Sequence, residues 1–383
     1  MNSRQRLLVA LSHQEPDRVP LDLGATQVTG IHQRAYQAFR QELGLPAGEP
    51  TVCDYIQGLP LPDEDLVVHL GVDVRGLFPR NSHNWNVTQQ LEGEYWIYQD
   101  EWGITHRRPY PDGLYYSVYT EPLNRPDLSV ADIQNYAWPD FGAAWRIEGL
   151  RVRAEAYRSD GYAVLIKDPF AGIFEMAQRI VGMENLLVMM ATGQSLAGAL
   201  FEKLAGLKLD FWEMALPQLS DVVDVISQAD DYGSQASQII SPRMFRQQIK
   251  PFWQAIFYRL RELAPNAQRF FHSCGNVRPL IPDFIELGVQ ILNPVHIRAA
   301  GMEPTALKRD FGDALTFWGG GIDTQNVLPY GTPRQVKDEV RRNIEALAPG
   351  GGYVFNTVHN IQADAPMENI LALYAAFREH CQY

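Results

Sequence analysis

The sequence predicts an α/β protein: a (β/α)8 TIM barrel with an N-terminal helical segment and an inserted β-meander. Three observations point there. Eight short apolar runs bounded by turn residues recur along the 383 residues. Helical patterns separate most of them, as in parallel βα units. No repeat, low-complexity tract or Gly/Ser-rich linker divides the chain, so all 383 residues read as one barrel domain. Eight such units close most simply into a barrel.

Taken in order, Leu7, Leu8 and Leu11 share a face of an opening helix that stops at Glu15 and Pro16. Residues 18–24 alternate as a strand does, and residues 31–43 read as a second helix. The other strand candidates are 71–78, 162–167, 222–227, 269–273, 289–294, 315–320 and 352–357. Ser241 before Pro242, and Thr332 to Gln335, carry helix-start chemistry: a capping hydroxyl followed by proline at the first helical position. Pro251 is expected to bend or offset the helix that follows Ser241. Val336, Val340, Ile344 and Leu347 give the last long helix its buried face. Residues 80–137 break the rhythm. Tyr95 to Tyr98 and Trp102 to Thr105 mix aromatic and polar residues in strand-like fashion, so this stretch is read as a meander over one end of the barrel. Residues 138–160 and 172–218 read as largely helical.

A formal net charge of −12 and the lack of any Lys/Arg run make nucleic acid and anionic membranes poor partners. Cys53, Cys274 and Cys381 show no regular spacing, which argues against a disulfide framework and for a reducing compartment. The opening apolar stretch is shorter than the ~7–15 residues of a signal-peptide core. No run approaches the ~20 apolar residues of a membrane span. A cytoplasmic protein is expected.

The chemistry concentrates in Gln268 to Asn276, where an apolar strand runs into His272, Ser273, Cys274 and Gly275. Residues two apart on a strand point the same way, so His272 and Cys274 present an imidazole beside a sulfur. Both are good zinc ligands. A lone His-X-Cys pair is more often a histidine beside a buried thiol. Two features favour ligation: the pair sits at a strand end, where a barrel places its active site, and another strand end finishes in His359, a third ligand from a separate loop. A catalytic zinc typically takes three protein ligands and keeps one position open. Polar groups also follow other strand ends, among them Asp168, Asp230, Asp231, Gln235, Asn293, His296 and Asp323. Taken singly, each is more often a cap or turn residue. Gly319 to Gly321 lack the spacing of a phosphate loop.

At this point the chain resembles the uroporphyrinogen decarboxylase superfamily, nearly end to end. The resemblance rests on Pro16 to Pro20, Asp230 to Gly233, Ile240 to Phe245, His272 to Gly275, Phe317 to Asp323 and Ala348 to Asn356. It implies a (β/α)8 barrel. The decarboxylases carry an arginine-rich loop after the first strand, whereas Leu21 to Gly30 contains no arginine. The corrinoid-dependent methyltransferase branch instead has a His-x-Cys-Gly strand end and a late third ligand, usually cysteine. His359 falls at that late position, a departure that changes the ligand set to two histidines and one cysteine.

The resemblance therefore implies Zn2+ held by His272, Cys274 and His359, with Glu175 as a further candidate ligand. Asp231 and Tyr232 are expected to take part in catalysis. Asp230, Gln235, Asn293, His296, Asp323 and Asn356 are expected to line the substrate pocket. The implied activity is transfer of a methyl group between a small methylated substrate or thiol and a corrinoid (cobalamin) supplied by a partner protein. With a thiol, the metal would yield a thiolate that attacks the methyl group. With an ether or hydroxyl oxygen, it would act as a Lewis acid, and the poorer thiolate complement tilts the reading this way. A homodimer is compatible with the sequence. Two other readings stay open: a metal-free decarboxylase of uroporphyrinogen or a related carboxylate, and a non-catalytic small-molecule binding protein.

Overall fold

Seven of the eight expected strands form one parallel sheet: β1 (Val74–Leu77), β2 (Ala163–Ile166), β3 (Val225–Ala229), β4 (Gln268–His272), β5 (Ile291–Asn293), β6 (Thr316–Trp318) and β7 (Tyr353–Val354). The computed structural model describes every residue except Glu49, Asn84 and Gly193, and the side chain of Gln194. The strands lie side by side in sequence order, from β1 at one edge to β7 at the other. Every neighbouring pair is parallel. Their inward positions are apolar and their outward positions pack on helices, as a sheet covered on both faces requires.

The eighth expected strand, 18–24, is where the expectation of a closed eight-stranded barrel needs correction. Among the described residues it contributes one parallel bridge, Leu21 to Phe355. The physical reason is local. Pro20 has no N–H to give a ladder, and the Leu21 N–H is taken by the Asp73 side chain at 2.8 Å. The segment nevertheless touches both sheet edges. Phe355 N–H donates to Pro20 O at 2.8 Å and Asp22 N–H to Phe355 O at 2.9 Å, while Asp73 N–H donates to Leu21 O at 2.8 Å. The result is a curled, TIM-barrel-like sheet of seven strands.

Two apolar layers hold it. Inside the curl, Val74, Leu165, Val225, Phe270, Ile291, Trp318 and Val354 meet Leu7 and Leu11. Those leucines belong to the opening helix α1 (Ser3–Leu11), which ends at Leu11 rather than at Pro16. Salt bridges of Arg4 to Asp224 (2.9 Å) and Arg6 to Asp73 (2.6 Å) fasten α1 beneath the strands. The larger outer layer lies between the sheet and its helices, among them α2 (Ile173–Val181) and the long α3 (Gln194–Leu219).

The helix-start signals act as expected. Ser241 Oγ accepts from Met244 N–H at 3.1 Å, and Thr332 and Gln335 form a reciprocal capping box. Pro251 leaves its mark just upstream: residues Phe245–Ile249 widen into a π-helical turn before α4 (Lys250–Leu263). A proline cannot donate to the carbonyl four residues back and clashes with it, and a widened turn is one way a helix relieves this. The stretch 80–137 holds a four-stranded antiparallel meander, Gln90–Glu92, Tyr95–Gln99, Thr105–Pro109 and Ser117–Thr120. A small antiparallel pair, Val52–Asp54 with Leu59–Pro60, was not expected from the sequence. No helix among the described residues is long and apolar enough to cross a membrane.

Candidate metal centre

β4 ends at His272, and the chain must then turn to bring Cys274 back beside it. Gly275 makes the turn with φ +83°, a conformation that L side chains avoid. A Cβ there would also lie 2.4 Å from the carbonyl carbon of Gly233. Three hydrogen bonds fix the turn. Cys274 N–H donates to Asp231 Oδ1 at 2.8 Å, Gly275 N–H to His296 Nδ1 at 2.9 Å, and Asn276 N–H to Ser234 O at 2.7 Å. Cys274 Sγ then sits 3.4 Å from His272 Nε2.

His359 arrives from the loop after β7. Its ring stands edge-on to that of His272, centroids 5.6 Å apart. One ligand atom from each of His272, Cys274 and His359 falls within 4.8 Å of the other two. A tetrahedral cation of zinc type has metal–sulfur distances of about 2.3 Å and metal–nitrogen distances of about 2.0–2.1 Å, which places its ligand atoms roughly 3–4 Å apart. The observed trio is close to that spacing. No other described His, Cys, Asp or Glu group forms such a set.

The protonation of the trio suits a cation. Burial, with His272 and His296 nearby, pushes His359 down to about 3, so its imidazole is neutral at any ordinary pH. Burial and the carboxylates of Asp231 and Glu175 push the Cys274 thiol well above its usual range. Without a positive charge beside it the sulfur keeps its proton; a bound cation would expel that proton. The donor set therefore fits Zn2+: two imidazoles, that of His359 held neutral, and one thiol that becomes a thiolate on binding.

His272 and His359 line a cavity of about 360 Å³ at the C-terminal ends of the strands. Lys167, Ala229 and His272 bring the ends of β2, β3 and β4 to its wall. The meander supplies the opposite wall through Tyr98, Asp100, Glu101 and Trp102. That turn is rigid: Asp100 accepts from Trp102 N–H (2.9 Å) and Ile104 N–H (3.0 Å) and pairs with His106 (2.8 Å). Glu101 is paired with the buried Arg146 at 2.8 Å. Trp102 packs edge-on against Phe170, which also lines the cavity.

The other expected site residues separate into three groups. Asp231 reaches the cavity and stands 3.6 Å from His272 Nε2, its carboxyl pushed up by burial. Glu175 also lines the cavity, but it pairs with Arg179 at 2.5 Å and is not among the three converging ligands. Asn293 and His296 touch the ligand loop rather than the open cavity. Asn293 Oδ1 lies 2.5 Å from His272 Nδ1, and His296 holds Gly275. Gln235 is exposed and pairs with His296 (3.2 Å) and Gln325 (2.5 Å).

The third group is buried in the scaffold and does not line the cavity. Asp230 accepts from the N–H groups of Phe174 (3.0 Å) and Glu175 (2.9 Å), the start of α2, and from Trp253 and the Tyr232 hydroxyl. Tyr232 is fully buried on the far side of Asp230. It contacts Asp230 and Trp253 and is not among the residues that line the cavity. Asp323 accepts from Gln325, Arg298 and Asn326 and shapes its own loop. Asn356 ties Asp22 O to Thr29 O. Asp230, Asp323 and Asn356 each follow a strand, but their side chains turn back to satisfy backbone donors or carbonyls. Gly319, Gly320 and Gly321 likewise serve packing: a Cβ on each would meet Thr357 O, Val295 or the Phe355 ring within 3 Å.

Several cavity residues were not foreseen. Arg179 lies four residues after Glu175 on α2, a spacing that could have flagged it. Lys167 closes the predicted strand 162–167, where a barrel active site begins. Cys53, Asp54 and Gln57 come from the small antiparallel pair and its turn, which carry no periodic signal.

Comparison with known proteins agrees with this architecture. No curated protein sequence matches the chain. Among solved structures, the fold is similar to "methyltransferase from Methanosarcina mazei", with a TM-score of 0.63 and 19% identity over 99% of each chain. At that identity the likeness is one of fold. A psychrophilic glycoside hydrolase family 10 endo-beta-1,4-xylanase aligns far more loosely, with a TM-score of 0.35 and 12% identity over 60% of this chain and 81% of that one. Residues 164–380, which carry β2 to β7 and the three converging ligands, match the family model described as Uroporphyrinogen decarboxylase (URO-D), and the chain belongs to that family.

Proposed function

We propose that the protein is a zinc-dependent methyltransferase that moves a methyl group from a small methylated substrate to a corrinoid carried by a separate protein. The single observation that carries this reading is the convergence of His272, Cys274 and His359 within 4.8 Å at the wall of a strand-end cavity. With segment 18–24 in the place of the eighth strand, the cavity would sit at the mouth of a complete (β/α)8 barrel, the usual position for an active site in this architecture.

His272, Cys274 and His359 would hold the zinc. When bound, zinc supplies Lewis acidity at its open fourth position, towards the heteroatom that carries the methyl group. The residues of the chain do the rest. Tyr98, Trp102 and Phe170 would exclude water from the reacting methyl. Asp231, whose Oδ1 is occupied by the Cys274 N–H, would hold a proton at Oδ2 for the leaving oxygen or nitrogen. Burial raises its carboxyl, which favours the protonated form a proton donor needs. In such a transfer the bond between methyl carbon and heteroatom would break, the methyl would pass to the corrinoid acting as nucleophile, and the heteroatom would leave with its electron pair and the Asp231 proton.

A porphyrinogen decarboxylase must hold several substrate carboxylates, and the cavity is poorly equipped for that. The cationic side chains among its lining residues are Lys167 and Arg179, and Arg179 is already engaged by Glu175. The test is methyl transfer to free cob(I)alamin from a panel of methylated ethers, amines and thiols, read from the cobalt visible spectrum. Transfer by the zinc-loaded protein and its loss in Cys274→Ala are expected. Carbon dioxide release from uroporphyrinogen by metal-free protein would overturn the reading.

A further inference from the structure

We infer that Asn293 fixes the tautomer of His272 and is the positioning residue that aims the Nε2 lone pair of His272 into the His272–Cys274–His359 cluster. The inference rests on the metal-centre reading for its consequence, but its geometry stands alone. Asn293 lies on β5, directly across the ladder from His272, and is fully buried. Its Nδ2 donates to Trp318 O at 2.8 Å. A backbone carbonyl only accepts, so the amide nitrogen must face Trp318 and the amide oxygen must face His272. Gly319 secures that orientation: its absent side chain leaves room for Asn293 Nδ2, which would lie 3.2 Å from a Cβ there.

Asn293 Oδ1 in turn only accepts, and His272 Nδ1 lies 2.5 Å from it. That nitrogen must carry the proton. A neutral imidazole has one N–H, so Nε2 is left with its lone pair, and Nε2 is the atom facing Cys274 Sγ at 3.4 Å. The other tautomer would set two lone pairs against each other at Nδ1 and Oδ1, in a site closed to water. It would also place an N–H where a cation must bind. The chain Trp318 O, Asn293 amide, His272 imidazole thus presets a ligand before any ion arrives. Partners of this kind govern metal affinity by 10- to 100-fold in general.

The test uses the full chain. Two-bond proton–nitrogen spectra of the metal-free, 15N-histidine-labelled protein report the tautomer, with the His272 signal assigned by its loss in His272→Gln. The wild-type protein should show the Nδ1–H form. An Nε2–H form of the assigned signal would overturn the inference. In Asn293→Leu, which keeps the bulk and removes the acceptor, the Nδ1–H signature should be lost. Zn2+ affinity, measured against a competing chelator, should then fall on the order of 10- to 100-fold. Asn293→Asp keeps an acceptor for Nδ1–H and should retain affinity within a few-fold of wild type. Unchanged tautomer and Zn2+ affinity in Asn293→Leu would overturn the inference and leave the metal centre standing. If the wild-type protein takes up no Zn2+, the metal reading falls, and the wild-type tautomer alone then supports or overturns the role of Asn293.

Discussion

Cys274 is the residue on which charge and metal meet. Its thiol is pushed up by burial and by Asp231 and Glu175, so it is protonated at neutral pH, and a cation must displace that proton. Zinc affinity should therefore rise with pH, by up to about tenfold per unit below the thiol pKa; chelator competition at a series of pH values checks this, and Cys274→Ser should flatten the dependence. His359 behaves oppositely in the metal-free protein. Its folded pKa of about 3 lies below its ordinary 6.5. Between those values the unfolded chain binds a proton that the folded chain refuses, so its contribution to stability is intact above 6.5 and is lost as the pH falls towards 3. His359→Gln should flatten urea stability across that window by one proton. An unchanged slope would show that His359 is not buried in neutral form.

At the scale of the element, the start of α2 explains why a conspicuous aspartate is not a pocket group. Gly172 precedes the helix, and a Cβ there would lie 2.0 Å from the Asp230 carboxyl carbon. The missing side chain admits the carboxylate, which takes the N–H groups of Phe174 and Glu175. Asp230→Ala would remove this cap and leave the buried Tyr232 hydroxyl without its acceptor; a loss of about 3 kcal/mol in chemical denaturation is expected, with the zinc content unchanged. Burial pushes Asp230 up to about 7. Its contribution is thus full below 3.8 and declines as the pH rises to 7. The facing loops behave similarly. Gly233 and Gly275 approach so closely that Gly275→Ala must displace one of them, and Cys274 with it, so zinc affinity should drop while the sheet persists.

At the scale of the whole molecule, Trp318 joins the inner core to the open side of the sheet. It stacks edge-on with Phe270 and donates to Asp22 at 2.9 Å. Trp318→Ala should cost about 3–5 kcal/mol, measurable by thermal or urea unfolding. The strands that meet this core were legible because a sheet buried on both faces needs short continuous apolar runs, and 162–167 contains little else. Segment 18–24 misled because alternation does not reveal that Asp73 will claim the Leu21 N–H. His272, Cys274 and His359 were legible as ligand types at strand ends. The roles of Asn293, Asp230 and Tyr232 were not, because they depend on which way a side chain turns after its strand ends. The walls from 52–57 and 98–102 were hidden for a related reason: an insertion reveals its own strands but not the surface it covers.

The central claim is that three residues, two of them neighbours on one strand end and the third 85 positions further along the chain, grip one cation through two nitrogens and one sulfur. X-ray absorption at the zinc edge, on protein loaded with one equivalent of Zn2+, tests this most directly. The account predicts one sulfur near 2.3 Å and two imidazole nitrogens near 2.0 Å. A shell without sulfur, or one unchanged when Cys274 is replaced by alanine, would contradict it.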